Sequence, residues 1–567
     1  MLQVSSIFEH YTTRDLYAVL GVAAAYAVLH QLFLRPMWLS PLRKIPGPPF
    51  GNLLYGQFLN MLKREPDVYQ MEWAKKYGPT VRAVGPFGFE HLILAKPSTL
   101  QRILVSEWRD YPKPDFFRWV LGFGAGYGLL SAKGHAHKLM RRALSPAFSL
   151  SNLMTKTEMC YPPLEGFVQI LDKLIASEPT PEKGTEVLVY DWMGKVNMDI
   201  ICAAAFGYYP DNVHDDKGEL IHTYQKLFDL QSGLNFAALS AAVTFLPGFH
   251  YFLRTKFAYK YRKYLFPGFL PKLRELHSLI ECVHHVMDVA KVMLAEKLRE
   301  ADVKALETKK DIMSLLIKAR LNDTEDGYKM TDQDLLEQAL TFLGPGHAST
   351  AAGSTWTLWL LATHPEYQER LRAEVLPVMA ANPRPDYNTL KDLKLLDRGI
   401  HSMESLRVLP PVPMTLRKAA KDDWVDGYFI PKGTLLYISI RVANTYPGTW
   451  GPDADEFRPE RWFNLPPTYD PKLTFLNFTA GNYSCLARPM AIMELKVIIA
   501  YVSFIYTGIY ALNLWWRFEM DRVIIAHFAF EPAYEGQVAK PIGARTMKPE
   551  DSMPLRVKAV GKLPIPL

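Results

Sequence analysis

The chain has 567 residues, 49% of them hydrophobic and 22% charged, proportions that exclude a disordered or fibrous protein. Its net charge of +7, from 65 basic and 58 acidic residues, is too mild for a nucleic-acid binder and suits a membrane surface or an acidic protein partner. Four cysteines (Cys160, Cys202, Cys282, Cys485) make no disulfide framework, which points to a reducing compartment, and the 42 prolines form neither a low-complexity tract nor a repeat array.

After a short segment, 1–15, residues 16–34 form a nearly charge-free apolar run interrupted only by His30 and Gln31. A helix needs about 20 apolar residues to cross a bilayer, so this run is predicted to be a transmembrane anchor. A cleaved signal peptide is the rival reading, but the run is long for one and Glu9 and Asp15 precede it. Arg35, Arg43 and Lys44 follow, which places the downstream body on the cytosolic side. Residues 35–50 are a basic, proline-rich hinge, and 51–567 read as one large body. Alternating apolar residues at Thr80–Val84 and His91–Leu94 predict two strands of a small sheet. Gly134–Phe148 reads as a basic helix stopped by Pro146, with His137 and Arg141 on one face; such a pair is usually a solvated surface.

Asp191–Tyr208 has the periodicity of a core helix ending at Gly207, and 218–306 is helical and aromatic-rich but carries no motif. Asp334–Leu361 is a long apolar helix containing Pro345, which donates no N–H and crowds the Thr341 carbonyl, so a kink is expected there. Glu404 and Arg407 share a helical face in MESLRVLPPVP, a pairing that surface helices carry routinely. Arg417 follows on a strand, and Arg461 lies in FRPERW.

From Phe475 to Lys496 an apolar lead-in reaches a glycine-containing loop, places Cys485, and opens a long apolar helix. A cysteine just before a helix start sits where the macrodipole and free N–H groups favour the thiolate. One thiolate can be the axial ligand of a haem iron, although a lone cysteine is otherwise a core residue. Val497–Trp516 carries no charge and is long enough to span a membrane. That reading is rejected, because the helix after Cys485 and the β segment that follows must belong to one body. The string VIIA occurs at Val497–Ala500 and again at Val523–Ala526. Deleting one copy and the residues between leaves MELKVIIAHFAFEPAYEG, so about 501–522 is expected to be an insertion, such as a retained intron.

Phe478, Gly481 and Cys485 stand in the F-x-x-G-x-x-x-C spacing of the cytochrome P-450 ligand loop, and E-x-x-R, P-E-R and this loop follow in that family's order. The chain after the hinge resembles a microsomal cytochrome P-450. The resemblance implies a mainly α fold with a small β-sheet region (α+β), preceded by the N-terminal transmembrane helix. It implies haem b with Cys485 as axial thiolate, Phe478 on the proximal haem face, and Gly481 in the loop's tight turn. His137, Arg141 and Arg417 would bind haem propionates, and Glu404, Arg407 and Arg461 would form a buried structural triad. Ser349 and Thr350, in the aligned stretch Gly346–Thr350, would organise distal water as the catalytic pair, and residues 218–306 would cover the substrate. Four positions depart from the pattern: Tyr483 stands where the family has a propionate-binding Arg, Ala487 where it has Gly, Ala348 where it has a distal acid, and Ser349 where it has Thr.

The implied function is insertion of one oxygen atom from O2 into an apolar small molecule, a lipid or secondary metabolite. Electrons would come from NADPH through a flavoprotein reductase docking near Lys138 and Arg142, at the endoplasmic-reticulum membrane, with a single pass and a cytosolic catalytic domain. Two alternatives stay open. A haem-thiolate isomerase or dehydratase without oxygen activation fits Ala348, and a non-catalytic, haem-poor relative fits Tyr483 and the inserted segment.

Overall fold

The computed structural model describes residues 13–180, 183–215, 218–268, 271–299, 311–321, 330–397, 400–503, 505–506, 525–543 and 546–560. Most of them are helical, with small sheets between. The chain divides into two compact units, Met1–Pro112 with Thr415–Ala443, and Lys113–Met414 with Asn444–Leu567.

The smaller unit begins with an α-helix, Thr13–Leu29, that continues as a π-helix over His30–Leu39 and a 3-10 turn over Pro41–Lys44. No residue of Thr13–Leu29 is buried, although the helical run Thr13–Lys44 holds a window long and apolar enough to cross a membrane. An apolar helix exposed on every face has no packing partner among the described residues, and is compatible with a membrane anchor. The helix runs beyond the expected 16–34 at both ends, because Arg14 and Asp15 are tolerated in the first turn and the π-helical turns carry the chain through Pro36. The unit's sheet has the strand order Thr80–Val84, Glu90–Leu94, Leu435–Ser439, Met414–Lys418. The first pair is antiparallel and the second strand pairs in parallel with Leu435–Ser439. Val81, Ala83 and Ile93 bury one face of this sheet against Trp73, the alternation expected of half-buried strands.

The larger unit is built on one helix, Asp332–Thr363, whose start is fixed by a capping box between Thr331 and Asp334. Most of its residues are buried on all sides, as a helix that is apolar all round requires. The helix runs unbroken through Pro345, whose position lacks an N–H donor. The helix Val189–Phe206 crosses it closely, since a Cβ on Gly346 would lie 2.8 Å from Ile201 Cγ1. That crossing helix ends at Gly207 in the left-handed region, φ 58°, as its sequence foretells.

Helix Arg488–Ser503 follows Cys485, and Val497–Val502 are buried in the core of this unit, so the start of the charge-free run packs against protein. A second sheet has the order Thr185–Leu188, Pro554–Val560, Ile525–Pro532, Ile505–Tyr506. Ile505 and Tyr506 pair antiparallel with Ala526 and Ile525, so the chain leaves and re-enters this sheet at adjacent points. Of the suspected insertion at about 501–522, residues 504 and 507–522 lie outside the described residues.

Candidate active site

The cysteine loop is fixed from both sides. Leu476 N donates to Asn444 Oδ1 at 2.7 Å, and Asn477 Nδ2 donates to Leu406 O at 2.6 Å, tying the lead-in to the E-x-x-R helix Ile400–Val408. Thr479 and Gly481 take positive φ, 51° and 69°, and turn the chain through a short 3-10 stretch, Gly481–Tyr483. Cys485 N then donates to Phe478 O at 2.8 Å, closing the loop. Phe478 packs against a cluster that includes Leu406, Trp450, Trp462 and Phe475. Ala487 has no positive φ, so an alanine in place of glycine puts no strain on the backbone.

Cys160, Cys202 and Cys282 are buried, whereas Cys485 is exposed as a residue. Desolvation by the surrounding protein nevertheless pushes its thiol up, against the opposing pull of the Ala487 N–H and of Arg141 and Arg488. The residue is thus exposed while the protein around it desolvates the thiol. The two guanidiniums and the N–H are the features that favour a thiolate there.

The basic helix Gly134–Leu144 turns His137 and Arg141 inward, toward this loop. Arg141 Nη1 donates to Ser484 O at 2.6 Å and Nη2 to Ser484 Oγ at 3.1 Å, holding the residue before the cysteine. Burial draws the Arg141 guanidinium down, and the Cys485 charge draws it back up. The His137 ring lies 4.4 Å from the Tyr483 ring, and burial, then Lys113 and Arg141, lower it to about 4, so it is neutral at pH 7. Lys113, itself buried, places Nζ 5.0 Å from the centre of the Tyr483 ring and donates to Leu130 O at 2.8 Å. The cation missing at position 483 is thus supplied next to it from another element. An exposed cysteine beside Arg141, with Lys113 and His137 at Tyr483 in the same loop, is a donor set that fits haem, the sulfur for iron and the arginine, lysine and imidazole for its carboxylates.

On the central helix, Thr341, Pro345, Gly346 and Ser349 form the less buried side, and Ala348 and Thr350 are buried. Ser349 Oγ donates back to Pro345 O at 2.8 Å. Thr350 faces the body instead, its Oγ1 3.2 Å from Glu494 Oε2 and 3.3 Å from Gly346 O. The two hydroxyls therefore sit on different faces of the helix. His347 is buried with Nδ1 2.7 Å from Leu343 O, its ring meets the edge of Tyr224 at 5.1 Å, and burial lowers it to about 4. It packs away from the open side and is no candidate ligand. Glu494, in helix Arg488–Ser503, is buried, and desolvation raises it to about 8.

Glu404 and Arg407 are fully buried, and the Arg407 guanidinium donates to both Glu404 oxygens, at 2.7 and 2.8 Å. Arg461 Nε and Trp462 Nε1 each donate to Glu404 at 2.8 Å, and Arg458 N at 2.9 Å, so the carboxylate is saturated. Arg407 spends its remaining donors on the carbonyls of Asn444, Ala454 and Glu456. Breaking such a buried pair by removing one member costs roughly 3–5 kcal/mol. The structure brings Cys485, Phe478, Gly481, His137 and Arg141 together, with the triad among the supports of the loop. Arg417 belongs to the smaller unit, where it is buried and donates to Thr415 Oγ1 at 2.9 Å and Leu416 O at 2.8 Å.

The sequence profile of the cytochrome P-450 family matches residues 45–502. The chain belongs to that family. This cytochrome P-450 is 29% identical over 500 residues to cytochrome P-450 monooxygenase sphH of Aspergillus fumigatus, a match covering 86% of this chain and 87% of that one. It is 29% identical to cytochrome P-450 monooxygenase 205 of Postia placenta, over 85% of this chain and 89% of that one. It is 27% identical to the ganoderic acid synthetase of Ganoderma lucidum, over 85% and 90%. It is thus an oxidoreductase of the monooxygenase type, in a family whose cofactor is a haem held by a cysteine thiolate. Sequence reasoning missed Lys113, Ser484 and Glu494. A lone acidic residue inside the apolar run PMAIMELKVIIA was the signal for Glu494; Lys113 gave none.

Proposed function

We propose that this cytochrome P-450 inserts one oxygen atom from O2 into an apolar small molecule of the lipid or secondary-metabolite class, with NADPH-derived electrons delivered by a flavoprotein reductase. The observation that carries the reading is the exposed Cys485, placed just before helix Arg488–Ser503 and flanked by Arg141 and Arg488. When bound, haem b supplies the oxygen activation, with the thiolate's electron donation favouring O–O cleavage. Cys485 would hold the iron, and Lys113, His137 and Arg141 the carboxylates. Phe478 would cover the proximal side, with Gly481 shaping the turn that presents the sulfur. Ser349, on the open side of the central helix, keeps a hydroxyl where water enters, and Thr350 carries a second hydroxyl toward the interior.

Lys138 and Arg142 are exposed on the helix whose other face holds His137 and Arg141, which supports docking of an acidic reductase surface behind the site. The N-terminal helix supports a single-pass anchor, and the basic residues after it support a cytosolic body at the endoplasmic-reticulum membrane. The names of the relatives, monooxygenases and an acid synthetase, support oxygen insertion.

Ala348 favours a second reading, an isomerase or dehydratase without oxygen activation, because that residue has no proton to relay. The cation offered by Lys113 beside Tyr483 speaks against the haem-poor reading. The deciding measurement is the carbon-monoxide difference spectrum of the reduced, membrane-expressed protein. A red-shifted Soret band that Cys485→Ser removes is the expected result; no band from well-folded protein sinks the haem reading. Ala348→Glu then separates the first two: a monooxygenase gains coupled turnover and an isomerase gains none.

A further inference from the structure

Helix Glu219–Leu230 and its C-cap, Gln231, carry two polar side chains that the site as described leaves without a task. Tyr224 and Gln231 are both 0% exposed. The Tyr224 hydroxyl and both amide atoms of Gln231 have no hydrogen-bond partner among the described residues. Other buried glutamines show what a structural role looks like. Gln338 takes Leu129 N on its oxygen at 3.1 Å and sets its nitrogen 3.6 Å from Met140 Sδ. Gln368 donates to the carbonyls of Leu361 and Phe530 and accepts from Phe530 N. Gln537 accepts from Ala533 N and donates to Pro554 O. Buried amides are nearly always satisfied in this way, so one with neither end paired needs a partner from outside the chain.

The position of the amide says where that partner lies. Tyr224, Phe228 and Gln231 are spaced at helical intervals and share one stripe. The stripe packs on the central helix, where a Cβ on Gly344 would lie 3.2 Å from Tyr224 Cε1 and 4.0 Å from Phe228 Cζ. At the end of the stripe the amide lies over Gly124 of helix Asp115–Ala125, where an added Cβ would be 2.9 Å from Oε1 and 3.0 Å from Nε2. The next residue, Ala125, accepts from Thr341 Oγ1 at 2.9 Å, and Thr341 is on the less buried side of the central helix. Gln231 therefore stands where three helices of the larger unit meet, beside the side of the central helix that also carries Ser349.

Its chemistry limits what it can take. An amide offers one acceptor and two donor hydrogens and no charge. The charges at the start of the central helix are spent on each other, with Arg254 Nη2 3.1 Å from both Glu337 oxygens, so that pair holds out no cation to a carboxylate. We infer that Gln231 is a specificity-determining residue that holds a neutral hydroxyl or carbonyl on the substrate, with the Tyr224 hydroxyl as a second hydrogen-bonding point on the same stripe. The inference rests on the oxygenase reading above. It narrows the substrate from an apolar molecule to an apolar skeleton that already carries an oxygen function. A site built to pair a substrate hydroxyl rejects the analogue that lacks it, because the protein's own group then stays unpaired.

The test compares matched pairs of probes on the haem-loaded, full-length protein, read by the shift of the Soret band. The pairs are dodecanol and dodecane, cedrol and cedrane, cholesterol and cholestane. In at least one pair the wild type should bind the alcohol roughly ten- to a hundredfold more tightly than the hydrocarbon. Gln231→Leu should erase that preference by weakening the alcohol alone, and Gln231→Asn should keep part of it. Melting temperature is the second readout. Without a probe, Gln231→Leu should melt above the wild type, because an unpaired buried amide is gone, and the alcohol should stabilise the wild type only. An alcohol preference that survives in Gln231→Leu, no preference in any wild-type pair, or a lower melting temperature for the probe-free variant overturns the assignment. A wild type with no thiolate-haem carbon-monoxide spectrum fails the oxygenase reading instead, and the melting shifts then decide on Gln231 alone.

Discussion

Lys113 is the residue whose role the structure changes most. Tyr483 removes a guanidinium from the cysteine loop, and the buried ammonium of Lys113 stands over the replacing ring. If Lys113 supplies the missing charge to a haem carboxylate, Lys113→Met loses one charge-assisted hydrogen bond, worth roughly 1.5–3 kcal/mol or on the order of ten- to a hundredfold in haem affinity. Tyr483→Arg in the same chain should restore it. The haem-to-protein ratio after purification reads both, and a single mutant with full haem content would dismiss the role. His347 makes a separate prediction about acid. Burial lowers its folded-state value to about 4 from the ordinary 6.5 of a histidine. The unfolded chain therefore binds more protons between those values, so stability is fully present above the upper one and is lost as pH falls through the lower. His91 and His137, also lowered to about 4, add to the same slope. His347→Phe, which keeps an aromatic ring against Tyr224, should flatten the fall of melting temperature between about pH 6.5 and 4. Cys485, Phe478 and Gly481 were legible in the sequence because the loop's own turn sets their spacing. Lys113 and Glu494 were not, because only tertiary packing carries them to Tyr483 and Thr350.

At the scale of elements, the strands and helices that punctuation marks were readable. Gly207 ends its helix in the left-handed conformation that its position suggests, and the first two strands lie where alternation put them. The helix expected around Pro345 is present and continues unbroken on both sides of it. The charge-free run after Glu494 divides differently from its composition: Val497–Val502 complete a core helix, and Ile505–Tyr506 join a sheet. Tyr506 lies directly opposite Ile525 in an antiparallel ladder, the geometry that a two-residue turn closes. Replacing 507–524 with Asn-Gly should therefore preserve both the thiolate-haem spectrum and the melting temperature, as expected if the segment is an insertion. Loss of either would make the segment part of the fold. Peptides containing Leu512-Asn513-Leu514-Trp515-Trp516 from the natural host would rule out its being a retained intron.

For the whole molecule, composition settled the class of protein and the ordered motifs its family, while the anchor's inner boundary had to come from structure. The helical run extends to Lys44, yet it stops being a free element well before that. Pro36 is buried and its carbonyl accepts from Arg82, and Leu42 and Ile45 are 3% exposed in the core of the smaller unit. Residues 13–29, by contrast, bury nothing. A truncation removing 1–34 should thus release the protein from alkaline-washed membranes into the soluble fraction with its carbon-monoxide spectrum intact. A truncation removing 1–45 should also release it, but it deletes two buried aliphatic side chains, each worth roughly 1.5–3 kcal/mol, and should lower the melting temperature or leave the protein aggregated. Continued pelleting of the 35–567 chain would place a second membrane contact in the remaining body. Equal stability of the two truncations would show that the residues after Leu34 contribute nothing to the fold they are packed in.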